Sequence, residues 1–270
     1  MLLRARATHN LQLSFVVLDL LRHQHHPHDT MGPELIQHAL ARADGSAVIS
    51  SGLYTVIAGV NGPVEVQRRD ELPEESAIEV NIRPASGVGG PRERWLETVV
   101  QSVLKSVILV HMHPRTLIQV TLQVTKEPST KLRNTAADIS ILPTLLNAAF
   151  TALVDGGLPL ATTMSATLAA VNNAGKLVIE PQEKDVSSYS SLHAMAFNAH
   201  GEQLLDQSAG PFDMNTWDKV AEAAQKTCMM AMAPSGEDES MVNGDEAGEP
   251  WLRKALQERA EAANAWRDST

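Results

Sequence analysis

The stretch from Ala47 to Gly62 reads AVISSGLYTVIAGVNG and carries the first strong signal of the fold. It is made largely of small and β-branched residues, which favour strands. Asp44-Gly45-Ser46, directly before it, is typical of a turn between two segments. The sequence therefore predicts a β-hairpin in this region.

Strand and helix patterns alternate after this hairpin. Residues 77–83 alternate apolar with polar side chains and predict a strand that ends at Pro84. The glycine-rich link 87–91 leads into a predicted helix over residues 92–108, and residues 117–124 predict another strand. The helix carries apolar residues at helical spacing: Trp95, Val99, Val103, Leu104 and Val107.

A similar succession follows a polar interruption. Residues 126–138 contain Pro128 and lack periodicity, so we expect a surface loop or insertion. Residues 142–154 predict a strongly apolar helix that stops at Gly156-Gly157. The remaining predicted elements are strands at 163–171, 176–180, 192–198 and 202–206, and a helix capped by Asp213 that runs through Cys228.

The two ends of the chain differ from this body. Residues 1–30 combine arginines with an apolar stretch and a histidine cluster. A mitochondrial presequence, a zinc site and a dispensable extension before a start at Met31 are alternatives, and we favour the extension. Residues 234–250 predict an acidic, disordered linker, and residues 251–270 a short charged helix that docks either on the body or on a partner. The predicted domain is 31–233.

The composition indicates a mixed α/β protein. Hydrophobic residues make up 43% and aromatic residues 4% of the 270, so Ala, Val, Leu and Ile must build the core. A net charge of −10 argues against nucleic-acid binding over the whole surface, so any RNA contact is expected to be local. Cys228, the single cysteine, excludes an internal disulfide and favours a reducing compartment. The apolar stretch 11–21 is interrupted by polar residues, and we predict no membrane span.

Several short motifs along residues 33–232, taken in this order, resemble those of the RNase PH-like subunits of the RNA exosome. They are Asp44-Gly45-Ser46, Gly52, residues 56–66 (VIAGVNGPVEV), Arg92-Glu93-Arg94, Pro114-Arg115-Thr116, Leu122-Gln123-Val124, Leu146-Asn147-Ala148-Ala149 and residues 152–159 (ALVDGGLP). The resemblance implies an α+β RNase PH-like fold, also described as ribosomal protein S5 domain 2-like. Such a fold has mixed sheets with packed helices in two similar halves.

The resemblance also defines what the family's phosphorolytic reaction requires. Active relatives hold phosphate in a Gly-Ser/Thr-Arg loop before the second-half helix, whereas the corresponding residues 139–143 read ISILP. Arg133, in the polar segment before them, is a poor substitute. Active relatives also place two aspartates before the final helix, and Asp185 alone remains here. We therefore predict an inactive homologue with no catalytic residues, no metal and no cofactor.

Arg92 and Arg94 are the candidate RNA-binding residues. They stand where the family tends to carry phosphate-contacting arginines at the start of the first-half helix. The alternative, weighed equally, is that Arg94 pairs with Glu97 or Glu93 on an exposed helix face.

The resemblance implies a structural role in a large assembly. Its expected partners are related subunits in a six-membered ring, RNA-binding cap subunits, an associated catalytic ribonuclease, and RNA in a central channel. The expected processes are RNA processing and decay, including rRNA maturation and mRNA turnover, in the nucleus, nucleolus and cytoplasm. The alternative function is an active phosphate-dependent 3′-to-5′ exoribonuclease, with Asp185 and arginines completing the site.

Overall fold

The computed structural model describes residues 33–129, 134–183, 189–233 and 250–268, which form nine strands and four α-helices within one compact unit. Several predicted features lie outside these residues. They are the extension 1–30, the proposed start at Met31, Arg133, Asp185 and the acidic segment 234–249.

The first half is a five-stranded sheet with the order β1-β2-β3-β5-β4. Its strands are β1 Glu34–Gln37, β2 Gly45–Ser50, β3 Thr55–Glu65, β4 Ala77–Arg83 and β5 Thr116–Lys126. Strands β2 and β3 pair as the predicted antiparallel hairpin, with Ser50 opposite Thr55. Strands β4 and β5 are parallel, so a crossover must join them, and helix α1, Pro91–Val107, lies in that connection.

Helix α1 covers the sheet with one apolar face. Its buried residues are Glu93, Leu96, Val100, Val103, Leu104 and Val107. The Glu93 carboxylate accepts a hydrogen bond from Gly90 N at 2.6 Å, which satisfies a free amide at the helix start. Trp95 shares the apolar spacing of this helix but is 39% exposed, so it lies outside the buried face.

The second half contains a four-stranded antiparallel sheet in the order β7-β6-β8-β9. Its strands are β6 Met164–Asn172, β7 Leu177–Ile179, β8 Tyr189–Asn198 and β9 Gln203–Ala209. Helix α2, Asn134–Asp155, packs against both sheets, and helix α3, Met214–Met232, packs on the second one. Asp213 caps α3 as predicted, since its side chain accepts a hydrogen bond from Thr216 N at 2.9 Å. These mixed sheets and helices confirm the α+β prediction.

Helix α2 corrects the prediction for residues 126–138. Lys126 is the last residue of β5, and residues 134–138 form the first turn of α2 rather than a loop. The helix therefore begins eight residues before the predicted start at Leu142. Asp138 is bound by Arg92 of α1, a contact between distant residues that local periodicity does not show. The predicted loop is therefore wrong for residues 134–138.

Helix α2 is also the central element of the core. Its segment Thr135–Asp155 is long and apolar enough to cross a membrane, and 83% of an apolar 18-residue stretch within it is buried inside the protein. The sequence prediction overlooked this segment when it judged apolar runs, and the burial identifies it as a core helix. The main hydrophobic cluster joins this helix to both sheets and to α1. A smaller cluster lies between α3 and the second sheet.

The C-terminal helix α4, Trp251–Asp268, docks on the body. Leu252 is 1% exposed within the main cluster, and Arg259 donates a hydrogen bond to Asp155 at the end of α2. Of the two predicted alternatives, docking on the body is therefore the one observed. In this position α4 contacts both α2 and α3.

Candidate functional site

Arg92 lies in the first turn of α1 and is held by the start of α2. Its Nε donates to Asp138 Oδ1, and its Nη2 donates to Ala137 O at 3.4 Å. The side chain is 34% exposed and Asp138 is 23% exposed. Most of the charge of Arg92 is therefore balanced inside the protein, although part of its surface still faces solvent.

Arg94 is much more accessible. Its side chain is 84% exposed, and its Nη1 lies 3.7 Å from Glu97 Oε2, which matches one of the two pairings predicted for it. Exposed pairs of this kind contribute little stability, about 0–1 kcal/mol. The Glu97 carboxylate also accepts a hydrogen bond from Ile82 N at 2.9 Å, so Arg94 shares it with the backbone. The pairing leaves Arg94 available for a ligand, and its role in RNA binding stays a prediction.

Tyr54 connects the first-half hairpin to the start of α2. Its hydroxyl lies 2.9 Å from Ser140 Oγ and donates to Ala137 O over 3.3 Å. Burial raises the pKa of the Tyr54 phenol, so the hydroxyl stays neutral and serves as a donor. The sequence around Tyr54 did not reveal this contact, since only the fold brings Ser140 to it.

Residues 139–143 correspond to the family's phosphate loop, and all of them lie within α2. Ile139 is 4% exposed, Ser140 2% and Ile141 1%. In an α-helix, only the first four backbone amides are free to bind an external group. Because α2 begins at Asn134, the N–H groups of residues 139–142 are past that point and bond within the helix, and Pro143 has no N–H to offer. This stretch therefore offers neither free amides nor an exposed cation to a phosphate.

A small polar cleft lies beside this stretch. It is lined by Ser51, Gly52, Leu53, Ser140, Pro143, Thr144, Leu168, Glu180 and Pro181. Ser51 Oγ and Thr144 Oγ1 lie 3.0 Å apart across it. Its volume of about 10 Å³ is close to the minimum for a single water molecule. A phosphate ion does not fit without rearrangement of the walls.

Glu180 supplies the acidic group of this cleft, and the sequence prediction missed it. Its carboxylate accepts a hydrogen bond from Thr167 Oγ1 at 2.8 Å. Burial raises the pKa of this carboxyl, which disfavours its charged form. The backbone φ of Glu180 is +52°, a conformation that non-glycine residues adopt rarely. An acid at this place opposes anion binding whenever it is ionised.

Other chemistry on the described residues is limited. They contain no group of three or more His, Cys, Asp or Glu side chains placed to hold a metal ion. Cys228 is buried, as expected, and burial raises the pKa of its thiol to about 12. Asp185 and Arg133, the two residues considered for a surviving active site, lie outside the described residues.

Comparison with known proteins agrees with this fold. Residues 34–159 match the RNase PH family, described as 3′ exoribonuclease family, domain 1. The chain belongs to the RNase PH-like proteins of the exosome type.

Within that class, the wording of the motifs predicts similarity to the ring subunit called ribosomal RNA-processing protein 46, and the relatives confirm it. The chain is 31% identical over 196 residues to exosome complex component RRP46 of Saccharomyces cerevisiae, which covers 70% of this chain and 86% of that protein. It is 32% identical over 161 residues to the exosome complex exonuclease RRP46 homolog of Oryza sativa, covering 60% and 63%. The crystal structure of rice Rrp46 superposes with a TM-score of 0.63 at 26% identity, covering 76% of this chain and 94% of that one.

Proposed function

We propose that the chain is a non-catalytic ring subunit of an exosome, which supports 3′-to-5′ RNA processing and decay by forming part of the RNA channel. Its relatives are exosome components, and the fold is theirs. The observation that carries the absence of catalysis is the early start of α2. Because this helix includes residues 139–143, the backbone amides that hold phosphate in active relatives are used within the helix.

Two further features support an inactive site. Arg92 is bound by Asp138 and Ala137 O, so its charge is largely paired within the protein. The cleft next to residues 139–143 has room for about one water and contains the buried carboxyl of Glu180. Phosphorolysis needs a cationic pocket for its attacking phosphate, and here the charge of Arg92 is already paired with Asp138.

Partners and location are part of the proposal. We infer that the chain binds related subunits in a six-membered ring, carries cap subunits on one face, and depends on an associated ribonuclease for catalysis. We infer a location in the nucleus, nucleolus and cytoplasm. Co-purification with mass spectrometry tests the partners: related ring subunits are expected, and their absence contradicts the proposal. A fluorescent fusion at the endogenous locus tests the location.

An RNA-shortening assay tests the catalytic part. The purified chain and the reconstituted ring, supplied with labelled single-stranded RNA and inorganic phosphate, are expected to release no nucleoside diphosphates. A phosphate-dependent release that Asp185→Asn abolishes would overturn the proposal. That outcome would support the second function, an active exoribonuclease, which is favoured by one observation: the rice relative is named an exonuclease.

The RNA-contact part has its own test. Arg92→Glu combined with Arg94→Glu in a reconstituted ring is expected to weaken protection of threaded RNA while the subunits still co-purify. Arg253→Glu, a charge reversal on an exposed residue of α4, is the matched control. Unchanged protection in the double variant removes both arginines from the site.

A further inference from the structure

Trp95 is a partly exposed tryptophan on α1. Two other described tryptophans, Trp217 and Trp251, pack against the hydrophobic clusters of the body. Trp95 belongs to neither cluster, and 39% of it faces solvent. The exposed part of an aromatic ring offers an apolar face on which a ligand can stack.

The first turn of α1 carries two arginines near Trp95. Arg92 lies three residues before Trp95, a spacing that puts these two side chains on one side of the helix, and Arg94 directly precedes Trp95 in sequence. In the glycine-rich link 87–91 before the helix, Val88 is 95% exposed.

Nearby carboxylates do not cancel this charge at the surface. Glu93 is 8% exposed and accepts from Gly90 N, and the side chain of Glu97 is 17% exposed and accepts from Ile82 N. Both acids are therefore turned toward the backbone, whereas the side chain of Arg94 is 84% exposed. The accessible part of this turn therefore contains an exposed cation directly before a partly exposed aromatic residue in the sequence.

We propose that Trp95 is a stacking platform for a base of single-stranded RNA, with Arg94 contacting the adjacent phosphate. A cation that follows the backbone beside an aromatic ring that stacks a base is the general arrangement for binding single strands without sequence preference. The inference rests on the proposed RNA-channel function and adds a residue and a binding mode to it. It predicts contact with the base as well as with the phosphate.

Fluorescence anisotropy with a reconstituted ring tests the stacking. Trp95→Ala is expected to weaken binding of a single-stranded oligonucleotide roughly tenfold, the effect typical of losing one stacked base. Trp95→Phe keeps an aromatic face and is expected to retain most of the affinity. Met112→Ala, which removes another exposed apolar side chain away from α1, is the matched control and is expected to change nothing.

An oligonucleotide with abasic positions separates stacking from charge. With this probe, wild-type and Trp95→Ala rings are expected to bind equally, because no base remains to stack. An equal loss on normal and abasic RNA overturns the proposal. Failure of the Trp95→Ala subunit to enter the ring also overturns it, because Trp95 is then a contact between subunits.

The Arg92→Glu, Arg94→Glu variant distinguishes the inference from the function on which it rests. If that variant weakens RNA binding and Trp95→Ala does not, the stacking inference fails and the RNA-channel function stands. If neither variant affects binding, both the arginine contact with RNA and the stacking on Trp95 are wrong.

Discussion

Arg259 of the C-terminal helix donates a hydrogen bond from Nε to Oδ1 of Asp155 over 2.9 Å, across 104 positions of sequence. Asp155 is the last residue of α2, where the partial negative charge of a helix end makes a carboxylate unfavourable. Its side chain is completely buried. Ser46 N donates to its Oδ2 at 2.9 Å, and His38 Nδ1 lies 3.1 Å from the same atom. One carboxylate thus ties α4, β2 and the segment after β1 to the core helix.

Removal of this carboxylate is expected to be strongly destabilising. Burial alone would raise the pKa of Asp155, but the hydrogen bonds from Ser46, Arg259 and His38 outweigh it and hold the pKa below its usual value. Asp155→Ala is expected to lower the free energy of unfolding by about 2–3 kcal/mol, because the buried Ser46 N and the partly exposed Arg259 and His38 all lose their acceptor. Urea unfolding at neutral pH measures this.

The control for this prediction lies on the same helix. Arg253 is exposed, and Arg253→Ala is expected to change the free energy of unfolding by no more than about 0.5 kcal/mol. Arg259→Ala is expected to fall between the two, since Asp155 keeps its other donors. An Asp155→Ala protein as stable as the Arg253→Ala control would contradict the role assigned to this carboxylate.

Gly45 is expected to tolerate no side chain. It begins β2 and lies directly against the end of α2, so that a Cβ atom at this position would overlap Ala152 O and the backbone of Gly156. Gly45→Ala is expected to lower the free energy of unfolding by at least about 2 kcal/mol through overpacking.

Gly157 provides the contrasting position. Its φ is +65°, and a Cβ there would meet nothing within 4 Å. Asparagine adopts this conformation more readily than most residues, so Gly157→Asn is expected to cost no more than about 1 kcal/mol. Equal thermal stability of the two variants would show that the close approach at Gly45 is absent in solution.

His193 gives a prediction for the pH dependence of stability. Its Nδ1 lies 2.8 Å from Ser208 Oγ and its Nε2 3.0 Å from Ser191 Oγ. Burial lowers the pKa of this imidazole, although the charge of Asp206 acts in the opposite direction. The unfolded chain therefore binds a proton more readily than the folded one. This contribution to stability is fully present above a pH of about 6.5 and is lost as the pH falls below it.

The measurement is the urea midpoint between pH 8 and pH 5. His193→Asn is expected to reduce the slope of stability with pH in that range, whatever it does to stability at pH 8. His200→Asn, a substitution in an exposed hairpin turn, is expected to keep the wild-type slope. Identical slopes in wild type and His193→Asn would contradict the prediction.

Cys228 is expected to be inert in the folded protein. Burial raises the pKa of its thiol to about 12, so at pH 8 only roughly one molecule in ten thousand carries the reactive thiolate. Iodoacetamide followed by intact mass measurement is expected to show no alkylation of the native chain and complete alkylation in urea. Because the chain has one cysteine, any cysteine alkylation that is detected belongs to Cys228. Rapid native labelling would show that α3 opens readily from the second sheet.

Restoring the Gly-Ser/Thr-Arg phosphate motif of active relatives is expected to destabilise the protein rather than to restore activity. Ile139→Gly combined with Ile141→Arg recreates Gly-Ser-Arg around Ser140, but both isoleucines are almost completely buried in α2. The variant is expected to lose at least about 4 kcal/mol of stability, since it removes core packing and buries an unpaired charge. Circular dichroism during urea unfolding measures the loss, with Ile139→Val as the control. A stable variant that gains phosphate-dependent RNA shortening would refute the placement of this stretch inside the helix.

Sequence patterns were reliable where a local period controls the structure. The strand 77–83 is observed with its predicted bounds as β4, and the helix predicted at 92–108 is observed as Pro91–Val107. Both segments have a regular apolar spacing, and both bury the corresponding face. Trp95 departs from this pattern, because the spacing of apolar residues does not say where the buried face of a helix ends.

The sequence by itself determined the hairpin and the alternation of strands and helices, and it showed that the Gly-Ser/Thr-Arg phosphate motif is absent. Each of these features depends on residues that are close together in the chain. Only the tertiary structure decided that α2 extends back to Asn134, that Asp138 binds Arg92, and that Asp155 receives Arg259. These features depend on contacts between distant segments. Burial of a polar group is favourable only where the fold brings it a partner, and no local pattern contains that partner.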